Sequence, residues 1–210
     1  MCKTTFTQND DTRLMHNPEL SALKKRHRVC VFCGSSPGAD PRYAEAARDL
    51  GRIIAERGFG MVFGGGNIGL MGETARAARD GGAPVIGILP AFLRHLEPPL
   101  KSAEELVILP DLFQRKDRMI AMSDAFVLLP GGMGTLDEFF EVVTSAQLHV
   151  HAKPIVAVNI AGFYDPLRAL LDHVISTGFA QPSVHALYHF VETPAQALDF
   201  VTEAMERAGP

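Results

Sequence analysis

Two kinds of residue in this sequence are placed to do chemistry: glycines in loops suited to an anion, and a few charged side chains near them. The loops are Gly34-Ser35-Ser36-Pro37-Gly38, then Gly64-Gly65-Gly66-Asn67-Ile68-Gly69-Leu70-Met71-Gly72, then Pro130-Gly131-Gly132-Met133-Gly134-Thr135. Each follows an apolar run of strand length, and the second and third open helical segments. Glycine lets the backbone approach a ligand closely, and a helix N-terminus offers unpaired N–H groups to an anion. Any one of these loops reads equally well as a tight strand-to-helix turn. Three at the same edge of one sheet point to a phosphate-bearing ligand.

The charged groups carry two readings each. Glu138 lies four residues past Gly134, and Thr135-Leu136-Asp137-Glu138 has the spacing of a capping box. Spacing alone therefore predicts Thr135 as N-cap, with Glu138 reaching back from the third helical position. Arg115, Met119 and Met122 share one stripe of a helix over 112–122, which also carries Lys116 and Arg118. An arginine in such company more often snorkels to the surface than clamps a ligand.

Other chemistries can be pruned. Gly64, Gly66 and Gly69 satisfy G-x-G-x-x-G, but the next strand ends Ile88-Leu89-Pro90, without the acid that holds a dinucleotide ribose. No Gly-Lys pair exists for a Walker A loop. The histidines form no H-E-x-x-H, and His149, His151, His185 and His189 read as surface residues rather than metal ligands. Of six lysines only Lys116 falls near a glycine loop, so a Schiff-base decarboxylase is a weak reading. No cofactor is required.

The elements that must position these residues show as an alternation of two periods. Strand-like runs fall at Val29–Cys33, Gly60–Phe63, Val85–Leu89, Leu106–Leu109, Ala125–Leu129, Ile155–Val158 and His189–Glu192. Between them helical periodicity covers Pro41–Arg57, Leu70–Asp80, Leu112–Met122, Leu136–Leu148, Pro166–Ser176 and Pro194–Arg207. Asp40-Pro41, Asp165-Pro166 and Thr193-Pro194 each set a capping residue before a proline at the first helical position. Most strands are continuously apolar, which suits a sheet covered on both faces. The expectation is an α/β, Rossmann-like, doubly wound and mainly parallel sheet of about seven strands with helices on both faces.

With 210 residues, 47% apolar and 21% charged, the chain is long enough for one large domain. That domain is expected over residues 28–210, after a polar extension over 1–27 with a short helix around Asn17–Leu23. A net charge of −4 argues against a nucleic-acid partner. Without an 18-residue apolar run or a secretory h-region, neither a membrane span nor export is expected. Cys30 and Cys33 form a C-x-x-C inside a strand, where they point to opposite faces. Buried, reduced cysteines in a cytoplasmic protein are the expectation.

The segments Cys33 to Gly38, Gly64 to Gly72, Arg115-Lys116 with Met119, and Pro130-Gly131-Gly132-Met133-Gly134-Thr135-Leu136-Asp137-Glu138 together resemble the Lonely Guy (LOG) family. These are the cytokinin riboside 5′-monophosphate phosphoribohydrolases, long mislabelled as lysine decarboxylases. The likeness runs from about Val29 to Ser176, and its most specific part is P-G-G-x-G-T-x-x-E with an arginine 23 residues before the glutamate. It implies hydrolysis of the N-glycosidic bond of an adenosine 5′-monophosphate, usually N6-modified, to free base and ribose 5-phosphate. Arg115 and Glu138 are then the catalytic pair. Gly34, Ser35, Glu97, Lys116, Gly131, Gly132, Met133, Gly134, Thr135 and Thr144 are the substrate contacts, and the assembly is a homodimer or larger homo-oligomer. Met133 stands where plant members often carry Tyr, and Asp137 where Glu is common.

Overall fold

The computed structural model describes residues 26–95, 100 and 105–208. The extension before Arg26, with its expected helix at Asn17–Leu23, and Glu97 lie outside the described residues.

Seven strands form one sheet: β1 (Arg28–Phe32), β2 (Gly60–Phe63), β3 (Val85–Pro90), β4 (Glu105–Leu109), β5 (Ala125–Leu128), β6 (Ile155–Val158) and β7 (His189–Val191). Their order is β4-β3-β2-β1-β5-β6-β7, and every pairing is parallel. The strands lie within a residue or two of the expected runs. Arg28 joins β1 because its N–H donates to the Asp124 carboxylate at 2.7 Å and its carbonyl accepts the Asp124 N–H at 2.8 Å.

Among the described residues six α-helices connect and cover the strands: α1 (Pro41–Glu56), α2 (Gly69–Asp80), α3 (Leu112–Ala121), α4 (Met133–Gln147), α5 (Asp165–Ser176) and α6 (Pro194–Ala208). Alternate residues of each strand feed two separate cores. Val29, Val31, Met61 and Val127 pack with Leu50 of α1, Leu70 of α2 and Leu198 of α6. Cys30, Phe32, Val62 and Phe126 pack with Met119 of α3, Phe139 of α4 and Leu167 of α5. Such two-sided burial requires strands without polar alternation, and that is what the sequence supplies. Cys33 and Cys30 belong to opposite cores, as free thiols that burial and then the Glu138 charge push above their ordinary range.

Two of the three expected helix starts hold. The Asp40 carboxylate accepts the Arg42 N–H at 2.9 Å, and the Thr193 hydroxyl accepts the Gln196 N–H at 3.3 Å. The third differs: α5 begins at Asp165 itself, after Tyr164, with no capping side chain. Asn159 is the cause, for its side-chain oxygen takes the Tyr164 N–H at 2.7 Å and its Nδ2 donates to the Asp165 carboxylate at 2.9 Å. Among the described residues no helix is long and apolar enough to cross a membrane.

Candidate active site

Strand order reverses between β1 and β5, and in open parallel sheets ligands bind in the crevice above such a switch point. The loops after β1 and β5 meet there, with the Gly34 N–H donating to the Pro130 carbonyl at 3.1 Å. The first turn of α2 joins them, because the Met71 N–H donates to the Gly34 carbonyl at 3.3 Å. A Cβ built on Gly131 would fall 2.1 Å from the Thr135 hydroxyl and 2.8 Å from the Gly34 nitrogen, so only glycine lets the loops close this tightly. A cavity of about 270 Å³ opens at this junction.

Its walls hold most of the residues singled out from sequence. Gly34, Ser35, Gly132, Met133, Gly134, Thr135, Arg115 and Glu138 line it, with Cys33, Met71, Leu93 and Leu112. Gly131 lines an adjoining pocket of about 240 Å³ that also holds Tyr43 and Phe163. Sequence reasoning missed the apolar wall of Met71, Leu93 and Leu112. The one available signal was that these residues lie in or beside segments following β2, β3 and β4.

Helix α4 does not start as its spacing predicted. It begins at Met133, with extended Gly132 as N-cap and no capping side chain. Thr135 is therefore the third helical residue, 4% exposed, and Glu138 is the sixth. The capping box is overturned because the tight turn at Gly131 and Gly132 starts the helix two residues before the first side chain able to cap it. The first-turn N–H groups thus face the cavity without a side-chain acceptor, an arrangement that favours an anion.

Freed from capping, Glu138 meets Arg115. The Arg115 Nη2 donates to Glu138 Oε1 at 2.9 Å, and the two side chains are only 13% and 7% exposed. The arginine does not snorkel. Its Nε is buried and makes no hydrogen bond among the described residues. Glu138 also projects its charge onto its surroundings. Burial, then Cys33 and Glu138, push the Tyr164 hydroxyl up, and that hydroxyl donates to the Leu129 carbonyl at 2.6 Å, bracing the end of β5.

Two other residues stand apart from the cavity. Lys116 reaches from α3 to α4, where its Nζ lies 2.9 Å from the Asp137 carboxylate and also pairs with Glu141. Burial pulls this amine down, but the two carboxylates outweigh it and hold it above the ordinary lysine range. Thr144 is exposed, six residues beyond Glu138 and off the cavity-facing side of α4. It falls on a stripe with Met133, Asp137, Phe140 and Leu148, of which Met133 is 80% and Leu148 68% exposed. A larger groove, about 800 Å³, lies at the opposite edge of the sheet beside His27, Asp124, His151 and Lys153, far from the glycine loops.

The family model described as possible lysine decarboxylase matches residues 71–201. A cytokinin riboside 5′-monophosphate phosphoribohydrolase of Arabidopsis thaliana is 44% identical over 163 residues, 78% of this chain and 76% of that protein. A probable cytokinin riboside 5′-monophosphate phosphoribohydrolase of Oryza sativa subsp. japonica is 41% identical over 176 residues, 84% of this chain and 72% of its own length. Among solved structures, the molybdenum cofactor binding protein of Rippkaea orientalis superposes with a TM-score of 0.67 at 21% identity, covering 85% of this chain and 97% of that one. The molybdenum cofactor carrier protein of Chlamydomonas reinhardtii gives 0.67 at 19%, covering 86% and 98%. At such identities these two structures speak to the fold alone. On the family model and the plant sequences together, the chain belongs to the Lonely Guy family of cytokinin riboside 5′-monophosphate phosphoribohydrolases.

Proposed function

We propose that the protein hydrolyses the N-glycosidic bond of adenosine 5′-monophosphates, N6-substituted ones included, releasing the free base and ribose 5-phosphate. The observation that carries this reading is the buried Arg115–Glu138 pair in the wall of a cavity that opens on an uncapped helix N-terminus. The 5′-phosphate sits against the first turn of α4, at Gly131 to Thr135, and against Gly34 and Ser35. Cleavage passes through an oxocarbenium-like ribose, and Glu138 stabilises that charge while orienting a water toward C1′. Water adds through its oxygen at C1′ and gives up one proton, by way of Glu138, to solvent; the C1′–N9 bond breaks with its electron pair going to the base, which takes one proton from solvent and leaves as the neutral purine. Arg115 fixes the carboxylate by its Nη2 bond.

Lysine-dependent decarboxylation finds no support in this site. A Schiff-base lysine needs a neutral amine, and two carboxylates hold Lys116 protonated. Its place in the proposal is to clamp α3 to α4 beside the substrate, keeping Arg115 and Glu138 in register.

The working form is a cytoplasmic homodimer or larger homo-oligomer built from one domain over residues 28–210. The exposed stripe of Met133, Phe140 and Leu148 supports self-association, because an isologous contact would cover it twice. Thr144 lies within that stripe, where it serves the partner's site rather than its own. The buried free thiols of Cys30 and Cys33 are consistent with a reducing compartment.

The test is direct. The protein is incubated with AMP, with isopentenyladenosine 5′-monophosphate and with isopentenyladenosine, and free base and ribose 5-phosphate are measured. Release from the monophosphates and not from the nucleoside is the expected result. Release from neither monophosphate sinks the reading, and equal turnover of the nucleoside sinks the phosphate cradle. Preference between the two monophosphates separates a cytokinin-releasing enzyme from a general AMP nucleosidase.

A further inference from the structure

Gly64 is glycine for a reason its backbone does not supply. It is absent from the residues of positive φ, so another residue type would suit its main chain. Space decides the matter. A Cβ on Gly64 would lie 2.4 Å from Arg115 Nη2 and 3.5 Å from its Cζ, with the Met71 sulfur 3.1 Å away. The nitrogen it would strike is the one that donates to Glu138 at 2.9 Å. Nor can the loop easily yield. The Gly65 carbonyl accepts the Leu100 N–H at 3.0 Å, and Arg76 Nη1 donates to both the carbonyl and the side-chain oxygen of Asn67, at 3.1 and 2.7 Å.

We infer that Gly64 is a positioning residue, whose bare Cα forms the seat on which the Arg115 guanidinium lies while it holds Glu138. The second glycine loop is thus a support for the arginine rather than a third wall of the phosphate cradle. The cavity lining agrees, for Met71 is the one residue from the segment Gly64 to Gly72 that reaches it. This inference rests on the reading that Arg115 and Glu138 form the catalytic pair.

The experiment compares wild type, Gly64→Ala, Arg115→Lys and the double variant for kcat and KM on a monophosphate, together with a crystal structure of Gly64→Ala. The inference expects Gly64→Ala to lower kcat about 100-fold, the loss typical of a misplacement near 1 Å. KM should stay within about threefold, since the phosphate loop is untouched. In the alanine structure the Nη2–Oε1 separation should exceed hydrogen-bond reach, beyond about 3.5 Å. In the Arg115→Lys background, where the cationic head is slimmer, adding Gly64→Ala should cost less than about threefold more. An intact pair in the alanine structure, unchanged kcat, or equal losses in both backgrounds overturns the inference. If Gly64→Ala alone does not fold, the double variant should, and its failure to fold also overturns it. An inactive wild type would defeat the proposed function instead, and the crystallographic distance would still judge the seat.

Discussion

In the proposed reaction Glu138 and Arg115 carry the chemistry, and their burial makes them unequal to substitute. Removing an ionised group from water costs several kcal/mol, offset here by the ion pair and the hydrogen bond within it. Glu138→Ala leaves a guanidinium 13% exposed with its acceptor gone, so stability should fall by about 3–5 kcal/mol, read from the denaturant midpoint. Glu138→Gln keeps an oxygen for Arg115 and should cost much less stability. Its turnover should nonetheless fall by about 10²–10⁴-fold, the usual worth of a positioned acid–base group. Normal turnover in that variant would make Glu138 structural and the mechanism wrong. Sequence spacing alone assigned this glutamate to capping, because T-x-x-E looks the same whether the helix starts at Thr135 or before it. The partner that redefines it is 23 residues upstream, a separation no local pattern reveals.

At the scale of elements, the uncapped start of α4 has its own consequence. Gly132 has an ordinary φ of −91° and open space where a Cβ would sit, so Asp fits there as an N-cap. Gly132→Asp should leave stability within a few tenths of a kcal/mol or raise it, since Gly and Asp differ little at this position. It should also raise KM for a monophosphate about tenfold or more, by occupying the N–H groups and opposing the phosphate charge. Unaltered KM would remove the helix terminus from the site. The pairing of α1 with α2 makes a different prediction. Glu73 bridges Arg48 at 3.1 Å and Arg76 at 2.7 Å; burial raises its pKa, but the two arginines outweigh it and hold the carboxyl below the ordinary glutamate range. A depressed carboxylate contributes stability that is present above about pH 4.3 and lost as pH falls through the lower folded value. Glu73→Gln should therefore cost about 0.2–1 kcal/mol at neutral pH and nothing once the wild-type carboxyl is protonated. Denaturant midpoints taken from pH 7 to pH 3 should show the two proteins converging.

At the scale of the whole molecule, the proposed assembly rests on the exposed stripe of α4. Phe140→Asp places a charge on that stripe and should shift sedimentation from dimer toward monomer. Activity should fall with it if Thr144 serves the partner's site, whereas a fully active monomer would return that role to one chain. The alternation of strand and helix was legible from sequence because a doubly wound sheet leaves a continuous apolar run before each stretch of helical period. What could not be read was the lateral order of the strands, since nothing local says that β5 lies beside β1 rather than beside β4. That order puts Val29 against Ala125, across 96 residues of chain. Strands β1 to β4 form by successive neighbouring crossovers, whereas β5 must travel back over three strands before it can pair. Closing so long a span is slow, because its entropy is lost before its contacts are gained. Both Arg115 and Glu138 flank β5, so during refolding catalytic competence should not return before this docking, and should trail the recovery of helical circular dichroism.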